Sequence, residues 1–321
     1  MIAFLKQKTF LDLFPAPEFL LLSTTGIDIT DADIKFVQLR RKVFGDGFEL
    51  AHASKVGNPR GDELVSVLKQ LASHYNIRYA RASLPEEKAY LFTTSIDWVP
   101  HPGLRDAVAF IIEENAPVSL AESVFDFEIV SEDEGAGEIK LAVSVVPANV
   151  VNAYVGLFES AHITPISFDL ESQAIARAVI HHGDRRSQLI VNLSLKKTGF
   201  YVVEKEVVQF STTSTYGIGD DDSYLDLNDL KAEMRKVFAF WNARTDRSGK
   251  SGKKIEQVIL CGLGGSKVDF VEKLMSESEV PYAFADVWLN MSPSRSHVSA
   301  IPFEESLGYA SAIGLVLPRD S

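Results

Sequence analysis

Two tight turns carrying an acid or amide and a small hydroxyl are the most chemically suggestive residues in this chain. Asp28 and Thr30 stand in Gly26-Ile-Asp-Ile-Thr30, and 164 residues later Asn192 and Ser194 stand in Val191-Asn-Leu-Ser194. Lys196, Lys197, Thr198 and Gly199 follow the second pair at once. Backbone N–H groups and hydroxyls in such turns can hold phosphate oxygens, and an adjacent carboxylate such as Asp28 can order a hydrated Mg²⁺. The simpler role of Asp28 is to form the turn itself. A third stretch, Cys261-Gly262-Leu-Gly264-Gly265-Ser266, follows an apolar run and precedes a helical pattern. That arrangement either sets N–H groups beside an anion or nucleotide or is an ordinary strand-to-helix turn needing positive φ.

These residues need elements to hold them. Residues 26–39 and 190–203 each read as an apolar strand, a polar turn and a second strand rich in Phe, Tyr, Val and Leu, which predicts a β-hairpin. The 164-residue offset also pairs Phe36 with Phe200. A hairpin repeated half a chain apart implies a duplicated domain with a cleft between the halves. Strands at 26–29, 34–43 and 47–53, a helix at 61–75 and a strand ending at Ser83 make an α/β layer. Residues 84–165 read as a separate module: a strand at 88–96, a helix at 103–115 stopped by Pro117, a hairpin with arms 124–130 and 138–146, and a helix at 147–161. A helix at 170–182 closes the first half. The second half repeats the hairpin, adds a strand at 206–213, one helix at 226–243, a strand from 258, a helix at 267–277 and a small-residue helix at 303–316. Residues 1–23 form a leader whose Phe4, Leu5, Phe10, Leu11, Leu13 and Phe14 either strap across the surface or dock a partner.

Composition removes several classes. The formal charge of −12 argues against a general binder of nucleic acid or anionic membrane. One cysteine, Cys261, leaves no internal disulfide framework and fits a reducing compartment. The apolar run from Phe10 to Leu22 is broken by Asp12, Pro15, Pro17 and Glu18, so neither a secretory signal nor a membrane span is expected. The seven histidines lack zincin spacing, and no G-x-S-x-G elbow is present. Gly249-Lys250-Ser251 is not a phosphate-binding P-loop, because Arg244 stands where the motif needs glycine.

The order of these motifs resembles the actin-like ATPases. Gly26-Ile-Asp-Ile-Thr30 is similar to their first phosphate loop, Val191-Asn-Leu-Ser194 with Thr198-Gly199 to their second, and Leu260 to Ser266 to their adenosine motif. The inserted module narrows the match. Ser83-Leu-Pro-Glu-Glu-Lys88, Leu104-Arg-Asp-Ala-Val-Ala-Phe110, Glu114-Asn-Ala-Pro-Val118 and Phe168-Asp-Leu-Glu171 resemble the PilM family of type IV pilus assembly, related to FtsA.

The resemblance implies an α/β, duplicated actin-like (ribonuclease H-like) two-lobed fold. Its first lobe would span 24–83 and 166–185, the inserted small α+β subdomain 84–165, and the second lobe 186–321, with a reduced helical part at 219–255. It also implies ATP and Mg at Asp28, Thr30, Asn192, Ser194, Thr198, Gly199, Gly262, Gly264, Gly265 and Ser266, with Asp28 on the metal side. The implied role is a cytoplasmic scaffold at the inner face of the membrane. It would bind the tail of a PilN-like bitopic membrane protein through the inserted subdomain and contact other pilus platform proteins or further copies of itself, with no nucleic-acid partner. Asn192 replaces the Asp of the second loop and Ser194 a Gly, which favours a scaffold over efficient hydrolysis. The alternative is a small-molecule kinase or ATPase of the same superfamily, with Asp220 to Asp222 as the only carboxylates to propose for the hydroxyl proton.

Overall fold

The computed structural model describes residues 25–42, 47–57, 62–135, 137–219, 227–245, 251–262, 267–291 and 301–319. The leader, the Asp220–Asp222 run, Gly249-Lys250, and Gly264, Gly265 and Ser266 lie outside the described residues.

The first lobe is built on β1 (Thr25–Ile29), β2 (Asp33–Arg41), β3 (Phe48–Gly57), α1 (Asp62–Tyr75) and β4 (Tyr79–Leu84). The inserted module follows: β5 (Tyr90–Asp97), α2 (Leu104–Asn115), β6 (Ser123–Asp133) and β7 (Glu138–Pro147). Then α3 (Ala148–Ser160), β8 (Thr164–Leu170) and α4 (Glu171–Val179) complete the lobe. The second lobe runs through β9 (Ser187–Leu193), β10 (Thr198–Glu204), β11 (Val207–Ser214), α5 (Leu227–Asn242), β12 (Gln257–Cys261), α6 (Val268–Met275), β13 (Tyr282–Phe284), α7 (Phe303–Ser306) and α8 (Ala310–Val316).

The duplication is explicit in the sheets. One has order β3-β2-β1-β4-β8 and the other β11-β10-β9-β12-β13, each an antiparallel meander continued by two parallel strands. The 164-residue offset holds in the backbone hydrogen bonds: Thr30 N–H donates to Asp33 C=O at 2.9 Å, and Ser194 N–H to Lys197 C=O at 3.0 Å. Phe36 and Phe200 fill equivalent places, each buried beneath the outer helices of its own lobe.

Each sheet has two covered faces. Leu68 and Leu71 of α1 and Phe158 of α3 pack on Ile27, Phe36 and Ala82. Both helices end in a left-handed residue, Asn76 and His162, letting Ile77 and Ile163 N–H reach back to the Ala72 and Phe158 carbonyls at 2.9 Å. Leu230, Met234, Val237 and Trp241 of α5 cover the second sheet with Phe270 and Leu274 of α6. Between the sheets lie α4 and α8, the helices that follow the last strand of each repeat. All seven residues of α8 are buried. Gly26 and Gly314 allow this: a Cβ on the first would overlap the Ala312 carbonyl, and on the second the Ala174 carbonyl.

The continuous helix expected at 303–316 is in fact α7, a 3₁₀ turn at Leu307–Tyr309, and α8. The kink lets Leu307 C=O accept from Gly262 N–H at 3.0 Å, so the chain bends to reach the glycine turn. The inserted module is a three-stranded sheet, order β5-β7-β6, with Leu104, Val108 and Ile112 of α2 packed on Leu141, Val143 and Val145. Lys140 Nζ reaches Gln209 Oε1 at 2.9 Å, tying this module to the second lobe as well as the first.

Candidate functional site

The two hairpin turns face one another across the cleft between the lobes. Asp28, Thr30, Asn192, Ser194 and Gly262 converge there, and Glu171, Lys35, Lys196, Lys197 and Ser311 line the same cavity. Thr198 and Gly199 do not. They lie behind it in β10, with the Thr198 hydroxyl buried without a partner among the described residues and Gly199 overlaid by the Tyr201 ring.

The Asp28, Thr30 and Asn192 side chains are already engaged. Asp28 Oδ1 accepts from Ser83 Oγ at 2.6 Å and from Ser311 Oγ at 3.0 Å, joining the ends of β4 and α8. Thr30 Oγ1 accepts from Asp33 N–H at 3.1 Å and donates to Asp33 Oδ1 at 2.9 Å, so it builds its own turn. Asp33 in turn takes Lys35 Nζ at 2.8 Å and Lys55 Nζ at 3.4 Å. Desolvation would raise the Asp33 pKa, but the two lysines and Thr30 outweigh it and hold the carboxyl below its ordinary value. Gly262 takes φ +84°, and its Cα comes so close to β9 that a Cβ would meet the Leu193 backbone.

Across the cleft, Asn192 Nδ2 donates to Glu171 Oε1 at 2.9 Å, and the Tyr201 hydroxyl donates to Glu171 Oε2 at 3.1 Å. Glu171 is the first residue of α4. Desolvation pushes its carboxyl up to about 7; the Asp28 and Glu86 charges add to the rise, while Lys197 and the Tyr201 hydroxyl oppose it. An aspartate at 192 would set a second carboxylate against Glu171, so the asparagine is what allows this contact. Beside it Glu86 accepts from Ser172 N–H at 3.0 Å and Ser172 Oγ at 2.9 Å, sealing the α4 N-terminus. Lys197 Nζ sits 3.1 Å from Glu87 and 4.0 Å from Asp31, both on the other lobe. Desolvation works against its charge, but Glu171, Glu87 and Asp31 prevail and lift its pKa.

The space left is small. The cavity between the turns holds about 30 Å³, enough for a water or two. A second cavity of about 540 Å³ opens beside it, against α1 and α3, and shares Asp28, Thr30, Asp31, Glu171 and Lys197 with it; among the described residues Lys197 is the only second-lobe residue in its wall. Sites for organic ligands enclose about 300–1,000 Å³. Among the described residues, the space between the first turn and Gly262 is too small for a nucleotide, and Asp28 and Asn192 are bonded to protein groups. That small cavity therefore does not fit ATP and Mg in this closed form, while the ligand-sized one beside it is walled by Asp28, Thr30 and Asp31 of the first turn but not by Gly262.

A larger cavity lies elsewhere. A groove of about 910 Å³ runs between β6 of the inserted module, β8 and α4 of the first lobe, and the β10–β11 turn of the second. Strand β6 is the edge of its sheet and turns Val124, Asp126 and Glu128 outward; Phe125, Phe127 and Ile129 pack beneath α2. Facing them stand Arg177 and Arg319, both paired with Asp169. None of the described sequence-derived site residues lines this groove. Its signal was the alternation of apolar and polar residues from 123 to 129, legible as a strand but not as an edge.

The fold and its cleft define the class: a two-lobed α/β protein of actin-like plan with an inserted subdomain. No family model matches the chain, and no curated protein matches it. Among solved structures it is similar to that of the PilM–PilN type IV pilus biogenesis complex, at TM-score 0.75 and 18% identity over 93% of this chain and 98% of that one. Also similar are the cytoplasmic domain of EpsL of the Vibrio cholerae type II secretion system (TM-score 0.46, 11% identity, 90% and 94% covered) and the ethanolamine utilization protein EutJ of Carboxydothermus hydrogenoformans (0.47, 13%, 90% and 89%). The chain is PilM-like in fold. No helix among the described residues is long and apolar enough to cross a membrane.

Proposed function

We propose that the protein is a non-hydrolysing scaffold of a type IV pilus or related assembly complex, cytoplasmic and held at the membrane through partners. It seats the tail of a PilN-like membrane protein in the groove between β6, β8 and α4. The observation that carries this reading is a groove of about 910 Å³ beside an edge strand, against about 30 Å³ between the two turns and about 540 Å³ next to them. An edge strand can offer backbone groups to an extended segment, with alternate side chains entering pockets on either side; on β6 the Phe125 and Val130 carbonyls and the Phe127 N–H now meet the Arg105, Lys205 and Asp126 side chains, which a bound segment would displace. The similar PilM structure was solved as a complex with PilN, which supports a partner of that type. Asn192 in place of a carboxylate, bonded to Glu171, supports absence of turnover. Other platform proteins, or further copies of this chain, would use the remaining surface.

The test is calorimetry of the full chain with the synthetic N-terminal tail of the PilN-type protein from the same source. Saturable binding, weakened about tenfold or more by Val124→Arg, is expected. Val124 is exposed, so that substitution leaves the core untouched. Absence of binding, or binding indifferent to V124R, refutes the docking site.

A further inference from the structure

We propose that this chain shuts its interlobe cleft with its own side chains, in the place where a nucleotide would join the lobes of an actin-like protein. This goes beyond the docking reading and does not depend on it. The clasp has two parts. At the mouth, Lys197 of the second turn pairs with Glu87 at 3.1 Å and stands 4.0 Å from Asp31 of the first turn. Inside, Asn192 and Tyr201 of the second lobe both donate to Glu171.

Three observations make this a clasp rather than incidental surface pairing. First, every bond crosses between lobes, joining residues 21, 30 and 110 positions apart. Second, the Lys197 side chain is only 21% exposed, so its pairing is shielded more than a surface ion pair. Third, Lys197 lines both the cavity of about 30 Å³ and that of about 540 Å³, and among the described residues it is the one second-lobe side chain that reaches the larger. A polyphosphate entering the cleft must displace Lys197 from Glu87, and its charge would meet Asp28, Asp31, Glu87 and Glu171. The Asp-to-Asn difference expected from the motif then has a positive function. It converts a residue that would organise metal and water into a donor that holds a carboxyl on the opposite lobe.

Two measurements on the full-length protein test the clasp. Thermal denaturation of the wild type with and without millimolar Mg-ATP should show no shift, since a ligand stabilises only in proportion to its binding. Hydrogen exchange in the double variant E87Q/K197M should be about fivefold faster at residues 28–33 and 193–198, with the β9–β12 core unchanged. Mg-ATP binding by E87Q/K197M but not by the wild type supports the clasp. A saturable ATP-induced shift in the wild type overturns it. So does exchange at both turns that the double variant leaves unaltered. Neither result bears on the tail-binding experiment, so the two readings fail separately.

Discussion

Gly314→Ala should destabilise the protein by about 2 kcal/mol, although alanine is the better helix former. The position lies inside α8, where replacing glycine by alanine gains about 1 kcal/mol of helix propensity. Against this, a Cβ at 314 would overlap the Ala174 carbonyl oxygen and stand 2.5 Å from its carbon, about 1 Å inside ordinary contact. The obstacle is backbone, so no side-chain rotation relieves it; α4 and α8 must move apart. Both are buried along the contact, and overpacking of this kind costs about 3 kcal/mol. The net of about 2 kcal/mol corresponds to a fall in Tm of roughly 3 °C for a chain of this size. The control is Gly156→Ala in α3, where a Cβ meets nothing within 4 Å and the same chemical change should stabilise by about 0.5–1 kcal/mol. Urea denaturation of the two variants beside the wild type measures both. Equal midpoints for G314A and G156A would refute the close crossing of α4 and α8, and with it the placement of Glu171 in the cleft.

Two further outcomes follow from the cleft. Glu171 has a folded pKa of about 7 against an ordinary 4.5, so between those values the folded state holds a proton that the unfolded state has lost. Stability from this group is therefore fully present below about pH 4.5 and is lost as pH rises to 7; E171Q should flatten the decline in urea midpoint across that window, and an unchanged slope would remove Glu171 as its source. Asp28→Ala strips the acceptor from Ser83 and Ser311, costing about 3 kcal/mol, while Asp28→Asn keeps an oxygen there and should cost less than half as much; equal losses in chemical denaturation would mean that the two hydroxyls are not held as described.

The fold was more legible in the sequence than the site, for a physical reason. A duplicated hairpin leaves a local record, because strand alternation and turn chemistry are written in neighbouring residues; the 164-residue offset reappears in the turn-closing bonds at Thr30 and Ser194. The PilM-like resemblance drew on the same local record plus the position of the inserted module. The cleft depends on pairs with no sequence relation: Ser311 on Asp28 lies 283 positions away and Lys197 on Glu87 110. Glu171, which organises the second-lobe side, ends the Phe168-Asp-Leu-Glu171 stretch that marks the resemblance, but carries no spacing to Asn192 that would assign it to the cleft. Thr198 and Gly199, taken from the same motif, lie in β10 behind the small cavity, with Thr198 fully buried.

The position of the inserted module explains why groove and cleft share a wall. The chain leaves β4 at Leu84-Pro85, and the next two residues take opposite partners: Glu86 reaches the start of α4 and Glu87 reaches Lys197 on the other lobe. Helix α4 then runs from Glu171 in the cleft to Gln173, Ala176 and Arg177 in the groove, within nine residues. Arg177 is fixed at both ends of the fold, donating to Asp169 at 2.9 Å and to the Gly314 carbonyl at 2.7 Å. A segment seated against β6 would therefore press on the same rigid helix whose first residue holds Asn192. A flexible loop could carry the groove without touching the cleft. Here a single buried helix forms a wall of both, so the two sites are mechanically contiguous whether or not anything occupies the cleft.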